Sequence, residues 1–299
     1  MKALCIGHAT YDFTMSMNDF PKENQKYRVN NTVECGGGPA SNAAYLLSLW
    51  GVNTYFAGVI GNDENGRKIK EEFKEVNVNT KFLEVDKGND TSLSFIVINQ
   101  KNGSRTIFTK RNNKAKLTKD INIKPDLILV DGDELEASKK VINKNKNAIS
   151  ILDAGRLTPD VIELARIVDY VVCSKNFAEE FTNIAVDLND KEKLEAIFNK
   201  LTNEFKNVII TIEDKGSLYL KDDEVVLVPS IDVKEVDSTG AGDIFHGAFG
   251  YCLLKKYDIE KSIRISNIAG AISVTREGVR YSMPLLKEVM SMYKKCLKK

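Results

Sequence analysis

Residues 237–247 read D-S-T-G-A-G-D-I-F-H-G. Two glycines flank Ala241, and Asp243 follows at once. From Ile244 the sequence turns apolar, so the glycine-rich turn is read as opening a helix that runs toward Leu254. The amides of Gly240, Ala241 and Gly242 would point outward at the helix N-terminus, where the macrodipole is positive. Such a turn suits an anion, most often phosphate, and bare glycines let a phosphate approach the backbone. A carboxylate beside bound phosphate adds repulsion, so Asp243 needs another reason to be there. General-base chemistry on a hydroxyl about to receive a phosphoryl group is the economical reason. By itself, however, an aspartate in a first helical turn does no more than complement the dipole.

The elements that must position this turn are read from apolar patterning. Residues 2–8 form a short buried strand ending in Gly7. Further apolar strands are expected at 126–131, 149–153, 169–174 and 207–212. Helices lie between them at 158–167, with Thr158 as N-cap and Pro159 at the first position, and at 190–205, with Leu194, Ile197, Phe198, Leu201 and Phe205 on one face. This alternation implies a parallel sheet covered by helices, with ligands beyond the carboxyl ends of the strands. Residues 13–33 are polar and irregular, whereas 82–110 contains two strand-like runs around Asn102-Gly103, a hairpin signal. A helix from Gly66 to Glu75 is expected to lead into that region, and a terminal helix is expected at 284–298. The turn after the first strand reads G-H-A-T-Y-D, not G-x-G-x-x-G, which rejects a dinucleotide oxidoreductase.

The long constellation D-S-T-G-A-G-D-x-F-x-G resembles the C-terminal motif of the PfkB, or ribokinase-like, carbohydrate kinases. G-G-P-A-S-N at 37–42, G-V-I-G-N-D-E-N-G at 58–66 and V-T-R-E-G-V-R-Y-S-M-P at 274–284 resemble further motifs of that family, in its order. The resemblance implies one domain over 1–299: a three-layer α/β/α sandwich with a mostly parallel sheet and a small β-strand lid from about 10–33 and 86–112. It implies ATP-dependent phosphorylation of a ribose- or fructose-like sugar, with Asp243 as base and Gly240, Ala241 and Gly242 as an anion hole. Asp12, placed by the family at the end of the first strand, would bind substrate hydroxyls with Gly37, Gly38, Asn42 and Asp243. Ser174, Thr211, Gly216, Gly240, Gly242 and Asn267 would line the nucleotide site. Mg²⁺ would bridge the phosphates. A monovalent cation, K⁺, would be held by Asp237, Thr239, Ser273, Arg276, Gly278 and Ser282, several through carbonyl oxygens. The family also implies a homodimer formed through the lid.

Two positions depart from the family. N-F-A-E at 176–179 spells its N-x-x-E, but ungapped alignment on Thr182 puts Ser174 and Phe177 there, so Glu179 reads as a solvated helix carboxylate. Glu213 stands where the family's nucleotide loop has a glycine. The alternatives left open are a nucleoside kinase of the same family and a non-catalytic sugar- or nucleotide-binding regulator.

The 299 residues suffice for one large core. A net charge of +1 gives no argument for nucleic acid or a membrane surface. The five cysteines form no C-x-x-C pair and their number is odd, which disfavours zinc and a disulfide framework. The run from Ile244 is too short and polar to span a bilayer, and the start of the chain has no signal-peptide pattern, so a reducing cytoplasm is expected.

Overall fold

The computed structural model describes residues 1–29, 32–112 and 116–297. The apolar opening forms β1 (Lys2–Ile6), followed by β2 (Thr10–Met17) and β3 (Thr32–Gly37). Pro39 starts α1 (Pro39–Leu49), where its missing N–H would have no helical partner anyway. Next come β4 (Asn53–Gly61), α2 (Glu64–Glu75), capped by Asp63, and β5 (Asn79–Asp86). β6 (Ser92–Asn99) and β7 (Arg105–Lys110) form the hairpin signalled by Asn102-Gly103. Strands and helices then alternate through β8 (Leu127–Val130), α3 (Leu135–Lys144), β9 (Ile149–Ala154), α4 (Pro159–Ala165), β10 (Tyr170–Ser174), α5 (Lys175–Thr182), α6 (Lys191–Thr202) and β11 (Asn207–Thr211). Thr158 caps α4 by accepting from the amide of Val161, and Asp190 caps α6 in the same way through Lys193. β12 (Gly216–Lys221), β13 (Glu224–Pro229), α7 (Ala241–Leu254), α8 (Ile259–Ser273), the single turn α9 (Val279–Ser282) and α10 (Leu286–Cys296) follow.

A nine-stranded sheet runs in the order β13-β12-β11-β10-β9-β8-β1-β4-β5. Pairings from β5 across to β11 are parallel, and β12 and β13 add an antiparallel edge. Its strands are apolar on both sides because both faces are covered. Ala3 and Cys5 of β1 join one core with α1, α7 and α8, while Leu4 and Ile6 join the other with α4, α5 and α6. Three layers result. β1 has β4 on one side and β8 on the other, so connections leave it in opposite directions and open a crevice at the carboxyl ends of the strands. A separate sheet has the order β3-β2-β6-β7; its central β2–β6 pair is parallel and its outer pairs are antiparallel.

Some expectations shift. Asp12 lies inside β2 rather than at the end of β1, since the chain becomes extended again at Thr10 and turns Thr10, Asp12 and Thr14 onto a buried face. The stretch 13–33 is therefore partly strand. Helix α2 leads into β5, the edge of the large sheet, because Phe82 and Leu83 are buried there. Residues 30–31 of the first expected lid segment and residue 298 of the expected terminal helix lie outside the described residues. Among the described residues no helix is long and apolar enough to cross a membrane, and all five cysteines are free thiols.

Candidate functional site

α7 begins without a side-chain cap. Gly240 occupies its N-cap in the left-handed region at φ 74°, and a side chain there would collide with Val279. The first-turn amides have no helical acceptor. Asp243 sits in that turn, half-buried, and its carboxylate accepts a 2.6 Å hydrogen bond from Nδ2 of Asn42. Asn42 belongs to the first turn of α1 and is buried, and its Oδ1 has no partner among the described residues. Asp12 reaches the same region from β2. Its carboxylate lies so close to Gly37 that a Cβ there would overlap it, and its Oδ1 is likewise buried without a partner. Gly38 follows at φ 96°. Segments far apart in sequence thus bring Gly37, Gly38, Asn42, Asp12 and Asp243 together.

Beneath Asp243 lies a pair that sequence reasoning missed. Asp153, near the end of β9, is 3.2 Å from Nδ1 of His246, one turn down α7. The same nitrogen is 2.6 Å from the carbonyl oxygen of Gly242, and Nε2 is 3.1 Å from that of Val172. Burial and the Asp153 carboxylate push the Asp243 pKa up to about 6, against opposing effects of Asn42, His246 and Arg105. Burial also pushes the Asp12 carboxyl up, to about 7. The apolar strand I-S-I-L-D ending in a carboxylate was the available signal for Asp153; His246 registered only as a break in an apolar run.

Asp237 is buried, with its carboxylate accepting from the amides of Thr239 and Gly278, each at 2.9 Å. This joins the stretch before α7 to the loop after α8, and the amide of Asp237 also donates to the carbonyl of Val274 at 3.1 Å. The Thr239 hydroxyl is buried without a partner among the described residues. Ser273 and Ser282 turn their hydroxyls onto nearby carbonyls, of Gly270 and Val279, and the Arg276 side chain pairs with Glu288 on α10.

Ser174 and Thr211 are register partners at the carboxyl ends of β10 and β11. The Ser174 hydroxyl caps α5 and donates to the carbonyl of Gly155, and Thr211 donates to that of Cys173. Asn267 accepts from Ser217 and donates to the carbonyl of Val228, so its amide ties α8 to β12 and β13. Glu213 adopts φ 55° in a short 3-10 turn, the backbone that a glycine would favour, and Gly216 follows at φ 111°. Glu179 is not simply solvated. It accepts from the amide of Val186, which folds the connection after α5 back onto that helix.

Further charged groups lie around the site. Arg105 of β7 donates to the Ser238 hydroxyl at 2.8 Å, and the carbonyl of Gly103 at the hairpin tip accepts from the same hydroxyl at 3.1 Å. Arg111, just beyond β7, pairs with Asp133, and Asp131 accepts from the amides of His8, Ala40 and Asp133. An open groove of about 890 Å³ along α2 and β5 shares none of these residues.

Residues 1–286 match the description "pfkB family carbohydrate kinase". A ribokinase of Lactococcus lactis subsp. lactis is 26% identical over 98% of this chain and 97% of its own length. A nucleoside kinase of Methanocaldococcus jannaschii is 24% identical, over the same shares. The solved Arabidopsis thaliana ribokinase, complexed with ribose and ATP, superimposes with a TM-score of 0.81 over 97% of each chain at 21% identity. That likeness extends to the ribokinase fold, with its parallel sheet between helices and its separate small sheet. With the family's glycine-rich motifs brought together around Asp243 and nearly the whole chain matched, the chain belongs to the pfkB family of carbohydrate kinases.

Proposed function

We propose that this carbohydrate kinase transfers the γ-phosphoryl group of ATP to a hydroxyl of a small ribose- or fructose-like sugar, with Asp243 as general base. The observation that carries the reading is the Asn42–Asp243 hydrogen bond at the head of α7, which sets a carboxylate between an amide-lined anion site and the glycine-rich segment. Asp243 takes the hydroxyl proton as that oxygen attacks the γ-phosphorus. The bond from the γ-phosphorus to the β,γ-bridging oxygen then breaks and ADP leaves. The amides of Gly240, Ala241 and Gly242 receive the developing negative charge. On the acceptor side, Asp12 Oδ1 and Asn42 Oδ1 are buried and unpartnered. When ionised, a carboxylate only accepts hydrogen bonds, as does an amide oxygen, so these groups suit a compound rich in hydroxyl donors lying on Gly37 and Gly38.

Ser174, Thr211, Gly216 and Asn267 would border the nucleotide, mostly through backbone, since their side chains are already engaged. Mg²⁺ would be held by the phosphate oxygens and neutralise their charge; no cluster of three acidic, histidine or cysteine ligands is present among the described residues. The unpartnered Thr239 hydroxyl beside the Asp237 carboxylate fits a monovalent cation such as K⁺, with Ser273, Arg276, Gly278 and Ser282 supplying further oxygens. Such an ion would hold the 237–240 and 276–282 segments together. A nucleoside acceptor is the second reading, favoured by the nucleoside kinase relative, because a ribosyl group offers the same hydroxyls. The aromatic row Phe13–Phe95–Phe108 on the small sheet supports a homodimer formed through that face.

The test is ADP release from Mg-ATP over ribose, fructose, their phosphates and adenosine, with and without K⁺. Asp243→Asn is expected to lower kcat by about a hundredfold or more while nucleotide binding persists. Wild-type turnover in that variant would overturn the base assignment.

A further inference from the structure

Three consecutive residues after α8 reach three parts of the site. The amide of Gly278 donates to Asp237 at 2.9 Å. Val279 fills the space that a side chain on Gly240 would need, at the head of α7. Arg280 turns the other way, into the protein, and is 5% exposed. Its Nε donates to the carbonyl of Gly36 at 3.0 Å, and one terminal nitrogen donates to the Ser41 hydroxyl at 2.6 Å. The guanidinium lies over the Tyr45 ring, 4.5 Å from its centroid, and 3.7 Å from Glu72. Glu72 in turn accepts from the amide of Gly36 through both oxygens, at 2.9 and 3.0 Å.

The Gly36 peptide is therefore gripped from both sides: its N–H by Glu72 and its C=O by Arg280. A Cβ at Gly36 would lie 2.6 Å from Glu72 and 3.2 Å from Arg280, so the grip itself excludes a side chain there. Gly37, against Asp12, is the next residue, and Asn42, bonded to Asp243, follows Ser41. A planar guanidinium can hold a carbonyl and a hydroxyl at fixed angles, which a lysine ammonium cannot do.

We infer that Arg280 is a positioning residue that couples the Asp237–Gly278 loop to the sugar-binding glycine segment, so that ordering one orders the other. The inference rests on the kinase reading for its kinetic consequence but not for its structural one. Coupling of this kind is reciprocal. A cation that tightens the 237–240 and 276–282 segments would tighten residues 34–42 through Arg280, and an acceptor bound on 36–42 would raise cation affinity by the same factor.

The test uses the full chain with Arg280→Lys, which keeps the charge and loses the fork, and Ser41→Ala, which removes one partner and leaves the arginine. Hydrogen–deuterium exchange is followed by mass spectrometry in KCl and in tetramethylammonium chloride. Wild-type protein should gain protection from K⁺ at 237–242, at 276–282 and also at 34–42. In Arg280→Lys the gain at 34–42 should vanish while the other two remain, and Ser41→Ala should show a partial loss. With an acceptor found in the ADP-release panel, KM for that acceptor should rise about tenfold in Arg280→Lys, as for loss of a charge-assisted hydrogen bond, with the KM for ATP within twofold. Undiminished K⁺ protection of 34–42 in Arg280→Lys, or its absence in wild type, would overturn the coupling, as would an unchanged acceptor KM. Should Arg280→Lys fail to fold, the Ser41→Ala exchange pattern decides in the same way. A wild-type chain silent on every acceptor would count against the kinase reading, and the exchange comparison would still decide the coupling.

Discussion

Asp243 is held between opposing influences. Burial and the Asp153 carboxylate push its pKa up to about 6, from an ordinary 3.8. In its proposed role as general base Asp243 must be ionised to act, so kcat should fall as pH drops through about 6, read from a pH–rate profile. The same shift bears on stability with a fixed sign. Because the folded value exceeds the unfolded one, the group's favourable contribution is complete below about pH 4 and is lost as pH rises through 6. Asp243→Asn is therefore expected to melt a few degrees above wild type at pH 8, with the gap closing toward pH 4; equal melting temperatures at pH 8 would contradict the burial argument. Asp12, with its carboxyl pushed up to about 7 by burial, gives a separate prediction. In its proposed substrate-binding role, ionised Asp12 would accept from acceptor hydroxyls, so kcat/KM for the acceptor should rise through about pH 7. Asp12→Asn should flatten that rise and increase acceptor KM about tenfold, as for loss of a hydrogen bond to a charged group, leaving the KM for ATP unchanged.

Helix α7 owes its start to Gly240 rather than to a capping side chain. The left-handed φ of 74° and the contact with Val279 both exclude a Cβ. Gly240→Ala should cost about 1–3 kcal/mol in denaturant unfolding. It should also lower kcat more than it raises either KM, because the first-turn amides lose their aim at charge that develops during transfer. A variant with wild-type kcat would show that those amides do not serve the reaction. The motif around α7 was legible from types and spacing because backbone amides, a glycine and a carboxylate are local features. The β2 placement of Asp12 was not, since Thr10, Asp12 and Thr14 put polar residues on a buried face, a pattern that reads as loop when only one strand is in view.

Across the whole molecule, the small sheet is tied to the large one at several points. Gly103 and Arg105 meet Ser238, Arg111 meets Asp133, and Arg280 holds Gly36. Tyr11 and Cys35 add apolar contact by joining the core that α1, α7 and α8 cover, whereas β6 and β7 of the small sheet carry Phe95 and Phe108 on one face, 43% and 55% exposed and paired across strands. A second copy covering that face would bury the row. Sedimentation should then find a dimer that Phe108→Glu converts to monomer. A monomeric wild-type chain at micromolar concentration would rule this out.

From sequence, the alternation of apolar strands and amphipathic helices determined a parallel sheet between helical layers, since both patterns follow from local periodicity and from the need to cover both faces. The glycine-rich turn with Asp243, and the resemblance it carries, pointed to phosphoryl transfer for the same reason: the chemistry resides in adjacent residues. Only the tertiary structure decided that Asn42 meets Asp243, that Asp153 and His246 lie beneath it, that Asp12 comes from a second strand, and that Arg280 grips Gly36. Each of these joins segments distant in the chain, and their energies depend on burial and on a partner's position, neither of which any single stretch of sequence specifies.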